Sequence, residues 1–202
     1  MHDKPPAGGG GQRGKMGGVP AVDVRAVTAV DDTLRAELLA CWVDVTNAGG
    51  AVGFVPPVTA ADVDPVLDRL LEGVASGRDV LCVLTVDGAT AGFAALVGSS
   101  SPLRRHWATV LRVQVHPSRQ GTGLGRALMA GVHRVAADRG WEFLSLTARG
   151  GTGVDAFYRG LGYTEVGRLP GAVRVAPGDD RDEILLARRL RPAAPALVDP
   201  GA

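Results

Sequence analysis

The stretch that most constrains this chain runs from Val110 to Arg139. It opens with an extended apolar run, Val110-Leu111-Arg112-Val113-Gln114-Val115, and turns at His116-Pro117. It then passes through Arg119-Gln120-Gly121-Thr122-Gly123-Leu124-Gly125-Arg126 and continues as an amphipathic segment. Pro117 lacks the N–H that a ladder needs and biases His116 toward extended backbone, so a strand must end there. Leu124, Ala127, Leu128, Gly131, Val132, Val135 and Ala136 then recur at helical spacing, with Gly140 as a C-terminal stop. A strand, a glycine-rich loop and a helix N-terminus therefore follow one another.

Such a junction suits a phosphate. The first turn of a helix leaves backbone N–H groups unpaired, and the aligned peptide dipoles favour negative charge there. Gly121, Gly123 and Gly125 let the backbone come close to the anion, and Arg119 and Arg126 can add charge-assisted contacts. A dinucleotide fingerprint would require glycine or alanine where Arg126 stands, and a P-loop would require Gly-Lys-Ser/Thr; neither pattern fits.

The segment Gln120-Gly121-Thr122-Gly123-Leu124-Gly125 instead resembles the pyrophosphate loop, Gln/Arg-x-x-Gly-x-Gly, of the GNAT superfamily of acyl-CoA-dependent N-acyltransferases. Downstream lie a strand, Phe143-Leu144-Ser145-Leu146-Thr147, the glycine-rich Gly150-Gly151-Thr152-Gly153, and then Val154 to Tyr163. Val154-Asp155-Ala156-Phe157-Tyr158-Arg159-Gly160-Leu161-Gly162-Tyr163 is similar to the family's Ala-x-x-hydrophobic-Tyr-x-x-x-Gly-Phe/Tyr segment. Val115 to Arg119, Phe157 to Gly167 and Leu169-Pro170-Gly171 resemble bacterial acetyltransferases of the tabtoxin-resistance type, which modify small amine-bearing toxins or metabolites.

The remaining elements read in order. Ala21 to Val27 alternates as a half-buried strand. Asp31 and Asp32 can cap a helix carrying Leu34, Leu38, Cys41, Trp42 and Val45 to about Asn47. Thr59 with Asp62 approximates a capping box before a second helix with Val63, Val66, Leu67, Leu70, Leu71 and Val74 in its stripe. Asp79 to Val86, Asp87-Gly88 and Thr90 to Val97 form a hairpin with an Asp-Gly turn. After Tyr163, Glu165 to Pro170, Ala172 to Val175 and Glu183 to Leu190 are short extended runs that read as a closing antiparallel hairpin.

The order β-α-α-β-β-β-α-β-α-β-β is that of the GNAT fold. The resemblance implies an α/β architecture, a mixed sheet of six to seven strands flanked by about four helices, with splayed parallel central strands. One domain is expected over residues 19–191, between a flexible glycine-rich tail (1–18) and a flexible Pro/Ala-rich tail (192–202) that cannot repay their ordering entropy.

Composition narrows the function classes. A net charge of +1 on 202 residues speaks against a broad nucleic-acid footprint. The first residues carry no apolar core, so neither a secretory signal nor a membrane span is expected, and a cytoplasmic protein follows by default. Cys41 and Cys82 lack metal-ligand spacing and read as buried hydrophobes, so no metal is expected.

The resemblance implies acetyl-CoA as cosubstrate, a small-molecule amine as acceptor, and direct transfer in a ternary complex. A protein or peptide acceptor, or a non-catalytic acyl-CoA-binding module, are the alternatives, and a homodimer is expected only by analogy. The backbone of Gln120 to Arg126 would hold the pyrophosphate, and that of Val113 and Val115 the pantetheine amides. Tyr158 would donate a proton to the leaving thiolate, or else simply pack. Phe54, in the apolar Ala51 to Val58 connection, is a core plug or part of the acceptor wall. No Asp or Glu lies between Asp87 and Asp138, so the general base stays unassigned, with His106, His116 and Asp155 as candidates. Gly151 stands where many family members carry a pantetheine-binding asparagine.

Overall fold

The computed structural model describes residues 19–190. The expected tails at 1–18 and 192–202, with residue 191, lie outside the described residues. The element order is β1 (Val22–Val27), α1 (Asp32–Asn47), α2 (Ala60–Ala75), β2 (Asp79–Val86), β3 (Ala89–Gly98), β4 (Trp107–Val115), α3 (Leu124–Asp138), β5 (Phe143–Arg149), α4 (Val154–Arg159), β6 (Thr164–Ala176) and β7 (Asp179–Arg189). This is the expected α/β order.

The seven strands form one sheet in the order β1-β2-β3-β4-β5-β7-β6. Every ladder is antiparallel except β4 with β5. The Asp87-Gly88 corner has positive φ at both residues, 51° and 84°, as a type I′ hairpin turn demands. α1 and α2 cover one face over Leu81, Val83 and Phe93. α3 and α4 cover the other, where Leu128, Met129 and Val132 meet Val80, Cys82, Leu84, Leu144 and Leu146.

Local chemistry accounts for the helix starts. The Asp31 carboxylate accepts the Leu34 N–H at 2.8 Å, satisfying one of the helix's unpaired donors. The Asp62 carboxylate accepts from the Thr59 amide at 2.8 Å and the Thr59 hydroxyl at 2.7 Å. Both cysteines are buried and free, and burial pushes each thiol up to about 12.

Two irregularities shape the centre. β4 pairs with β5 only at Trp107, Ala108 and Thr109, opposite Phe143, Leu144 and Ser145; beyond that the two parallel strands separate. On its other side, Phe93 faces Gln114 while Ala95 faces Leu111, so Arg112 and Val113 together oppose one residue of β3. That is a β-bulge, and Arg112 sits in it with φ +54°, a left-handed conformation costing a non-glycine residue of order 1–3 kcal/mol.

Candidate active site

The glycine-rich loop has the geometry of an anion cradle. Gly121 and Gly123 adopt φ of 75° and 87°, and Gly123 is the N-cap of α3. The N–H groups of Gly121, Thr122, Gly123, Leu124 and Gly125 have no acceptor among the described residues. The free set is narrower than the whole expected loop, because the Gln120 amide donates to the Pro117 carbonyl and the Arg126 amide to the Gly123 carbonyl. Two side chains brace the loop from within: Gln120 Nε2 donates to the Val115 carbonyl at 2.9 Å and the Thr122 hydroxyl to the Arg119 carbonyl at 2.7 Å. Arg119 and Arg126 are exposed beside it.

The fork between β4 and β5 leads away from this cradle. The His116 amide bonds the Ala91 carbonyl on β3, whereas the Val115 carbonyl turns the opposite way, to Gln120. In an antiparallel ladder one residue's N–H and C=O point to the same edge. The Val115 N–H therefore points into the fork with no strand partner. Gly125 and α4 adjoin the same space, since a Cβ on Gly125 would lie 3.5 Å from the Phe157 ring.

A cavity of about 610 Å³ opens at the fork, lined from five directions. The α1–α2 connection supplies Ala51 to Val55, the bulge Val110 to Val113, the end of β5 Thr147 to Arg149, α4 Tyr158, and the closing hairpin Val173 to Val175 with Glu183. Tyr158 comes from the α3–α4 face and is only 7% exposed. Its ring packs edge-on against Phe157 and Tyr163 at 5.2 and 5.7 Å. Burial pushes its phenol up to about 12, and its hydroxyl has no hydrogen-bond partner among the described residues. It is a protonated donor facing a cavity.

The α1–α2 connection is apolar because it is anchored. The Val52 carbonyl accepts from Trp42 Nε1 at 3.0 Å and from Arg112 Nη1 at 2.9 Å. The Arg112 guanidinium lies 5.1 Å over the Trp42 ring, and burial lowers its pKa. Asn47 closes the far end by bonding both the N–H and the carbonyl of Val58. Phe54 lines the cavity and meets Trp42 edge-on at 5.8 Å.

The histidine and aspartate candidates for the base lie elsewhere. His106 accepts from Trp107 Nε1 at 2.7 Å. His116 bonds Ser118 and Asp44. Asp155 pairs with Arg159 at 2.9 Å. None of the three lines the cavity, and its one carboxylate is Glu183. Glu183, Arg149 and Arg112 were not singled out from the sequence, since they converge only through strand register and the bulge.

Residues 77–165 match the family described as an acetyltransferase (GNAT) domain. That stretch is similar to GNAT acetyltransferase domains. The chain's fold is shared with solved structures of low sequence identity. One is yncA of Salmonella typhimurium, assigned as an acetyltransferase and solved with its cofactor acetyl-CoA: 21% identity over 88% of this chain and 99% of that chain, TM-score 0.68. Another is the ribosomal-protein-S18-alanine N-acetyltransferase of Escherichia coli: 21% identity, 88% and 99% coverage, TM-score 0.62. A third is assigned as a phosphinothricin N-acetyltransferase: 19% identity, 85% and 99% coverage, TM-score 0.69. The GNAT match covers the cradle, the fork and Tyr158, and stops before Glu183. Among the described residues, no helix is long and apolar enough to cross a membrane, and no group of three His, Cys, Asp or Glu side chains is gathered as for a metal.

Proposed function

We propose that the protein moves the acetyl group of acetyl-CoA to a primary amine of a small molecule, by direct attack in a ternary complex. The observation that carries this reading is the succession of five unpartnered loop amides, an unpaired strand edge in the β4–β5 fork, and a buried, unbonded phenol lining the cavity at that fork. The loop amides and Arg119 and Arg126 fit a pyrophosphate. The free Val115 N–H, with Val113 beside it on the bulged strand, fits pantetheine amides in the manner of an added strand.

Glu183 takes a proton from the acceptor ammonium, directly or through water, freeing the nitrogen lone pair. The nitrogen forms its bond to the thioester carbonyl carbon, the carbon–sulfur bond breaks, and Tyr158 protonates the departing thiolate. The nitrogen loses its second proton as the tetrahedral adduct collapses to the amide; of the two protons it gives up, one replaces the proton Tyr158 gave to the thiolate and the other leaves through Glu183, so one proton is released per amide formed. Phe54 and the braced Ala51 to Val55 segment wall the acceptor in, which supports a compact substrate. The tabtoxin-resistance-like segments point the same way, toward a detoxifying or metabolic role in the cytoplasm.

The fold shared with a ribosomal-protein acetyltransferase favours a second reading, transfer to a protein N-terminus. Thiol release from acetyl-CoA separates the two across amino acids, polyamines, aminoglycosides and N-terminal peptides, with product mass confirming the amide. Selective turnover of a small amine supports the first reading, and turnover confined to peptides supports the second. Calorimetric binding of CoA without turnover of any amine overturns both in favour of a binding module.

A further inference from the structure

The closing hairpin carries an unusual remainder of charge. Asp179 pairs with Arg181, Asp180 with Arg174 at 2.6 Å, Asp182 with Arg168 at 3.0 Å, and Glu165 with Arg159 and Arg168. Glu183 and Arg149 are left over. They are Cα partners in the β5–β7 ladder, and opposite charges directly across an antiparallel pair ordinarily attract one another into contact. Here they form no ion pair, because the Arg149 guanidinium reaches away to the Gly49 carbonyl at 3.2 Å. Both line the same cavity.

The other cavity arginines are already engaged. Arg174 is held by both oxygens of Asp180, and Arg112 by the Val52 carbonyl and the Trp42 ring. The cavity thus presents one uncommitted anion and, on the adjacent strand, one cation whose only hydrogen bond among the described residues is to a neutral carbonyl, with the Asp179 carboxylate, already paired to Arg181, near it. A guanidinium so placed can exchange one weak carbonyl contact for two charge-assisted bonds to a carboxylate.

Resting on the acetyl-transfer reading above, we propose that the acceptor is an amino-carboxylate. Its ammonium is received by Glu183 and its carboxylate by Arg149. A plain amine would satisfy Glu183 and leave Arg149 on its carbonyl. An amino acid satisfies both charges, and its carboxylate fixes which way the amine faces the thioester. Arg149 is a specificity residue in this scheme and takes no part in proton transfer.

The test uses the full chain and acetyl-CoA with matched pairs: amino acids against the amines left by their decarboxylation, and against their carboxamides. Removing the carboxylate is expected to lower kcat/KM on the order of 10- to 100-fold, the usual range for a hydrogen bond to a charged group. Arg149→Gln should erase that preference while sparing turnover of the decarboxylated amines, and Arg149→Lys should retain part of it. Equal kcat/KM within the pairs overturns this proposal alone, as does an Arg149→Gln variant that weakens both members alike. Silence toward every amine, with CoA still bound by calorimetry, overturns the acetyl-transfer reading and this proposal with it.

Discussion

Replacing Tyr158 by Phe separates catalysis from stability. The hydroxyl has no hydrogen-bond partner among the described residues, so its removal orphans no buried group. The ring contacts to Phe157 and Tyr163 persist in phenylalanine. Folding free energy should therefore change by less than about 1 kcal/mol, the order of a single net hydrogen bond. A general acid contributes about 10²- to 10⁴-fold, equivalent to about 2.7–5.5 kcal/mol at about 1.36 kcal/mol per decade. Single-turnover thiol release isolates the bond-breaking step from product release, calorimetry reports CoA affinity, and denaturant unfolding reports stability. The expected outcome is a slowed single turnover with affinity and unfolding midpoint preserved. A single-turnover rate equal to that of the unaltered protein would refute the assignment and leave Tyr158 as packing. Because burial holds the phenol near 12, no alkaline loss of activity from Tyr158 itself is expected between pH 7 and 10.

Gly53 has φ +101° and a Cβ there would lie 1.6 Å from Arg112 Nη1. Gly53→Ala should dislodge Arg112 from Val52 and Trp42, cost about 1–3 kcal/mol of stability, and raise the acceptor KM more than the CoA Kd. Gly123 meets nothing within 4 Å of a built Cβ, so Gly123→Val acts through its φ of 87° alone. It should weaken CoA binding by calorimetry with little change in unfolding midpoint if the loop reforms. His133 accepts from Arg188 at Nδ1 and bonds the Tyr163 hydroxyl through Nε2. Burial, then the Arg188 charge, lowers its pKa from 6.5 to about 4. The unfolded chain binds that proton first, so stability present above pH 6.5 should fall on acidification toward pH 4. Denaturant midpoints between pH 6.5 and 4.5 should show this slope, and His133→Gln should flatten it.

What could be read from the sequence was whatever lies in one contiguous stretch. The glycine-rich loop, both helix caps and the Asp-Gly hairpin each depend on neighbours a few residues away. β4 begins at Trp107, three residues ahead of the apolar run that opens at Val110. In the sequence Glu165 to Pro170 and Ala172 to Val175 look like separate pieces because Pro170 and Gly171 interrupt the pattern. In the structure β6 continues through them with a register shift on an edge strand, where a missing N–H is tolerated. Arg112 in a left-handed bulge has no sequence signature, since glycine is the residue that conformation favours. Glu183 and Arg149 become neighbours only when β7 aligns on β5, a non-local register that no local period encodes.

The sheet has a seam. Strands β1 to β4 and strands β5 to β7 are stitched by three residue pairs and one hydroxyl contact, Thr109 to Ser145 at 3.3 Å. The cofactor-facing end of that seam is left unsewn. Under the proposed reading, the pantetheine amides lie where further stitches would be, so the substrate is also a temporary structural member of the sheet. Each product released reopens the join, and the protein alternates between a bridged and an unbridged sheet once per catalytic cycle.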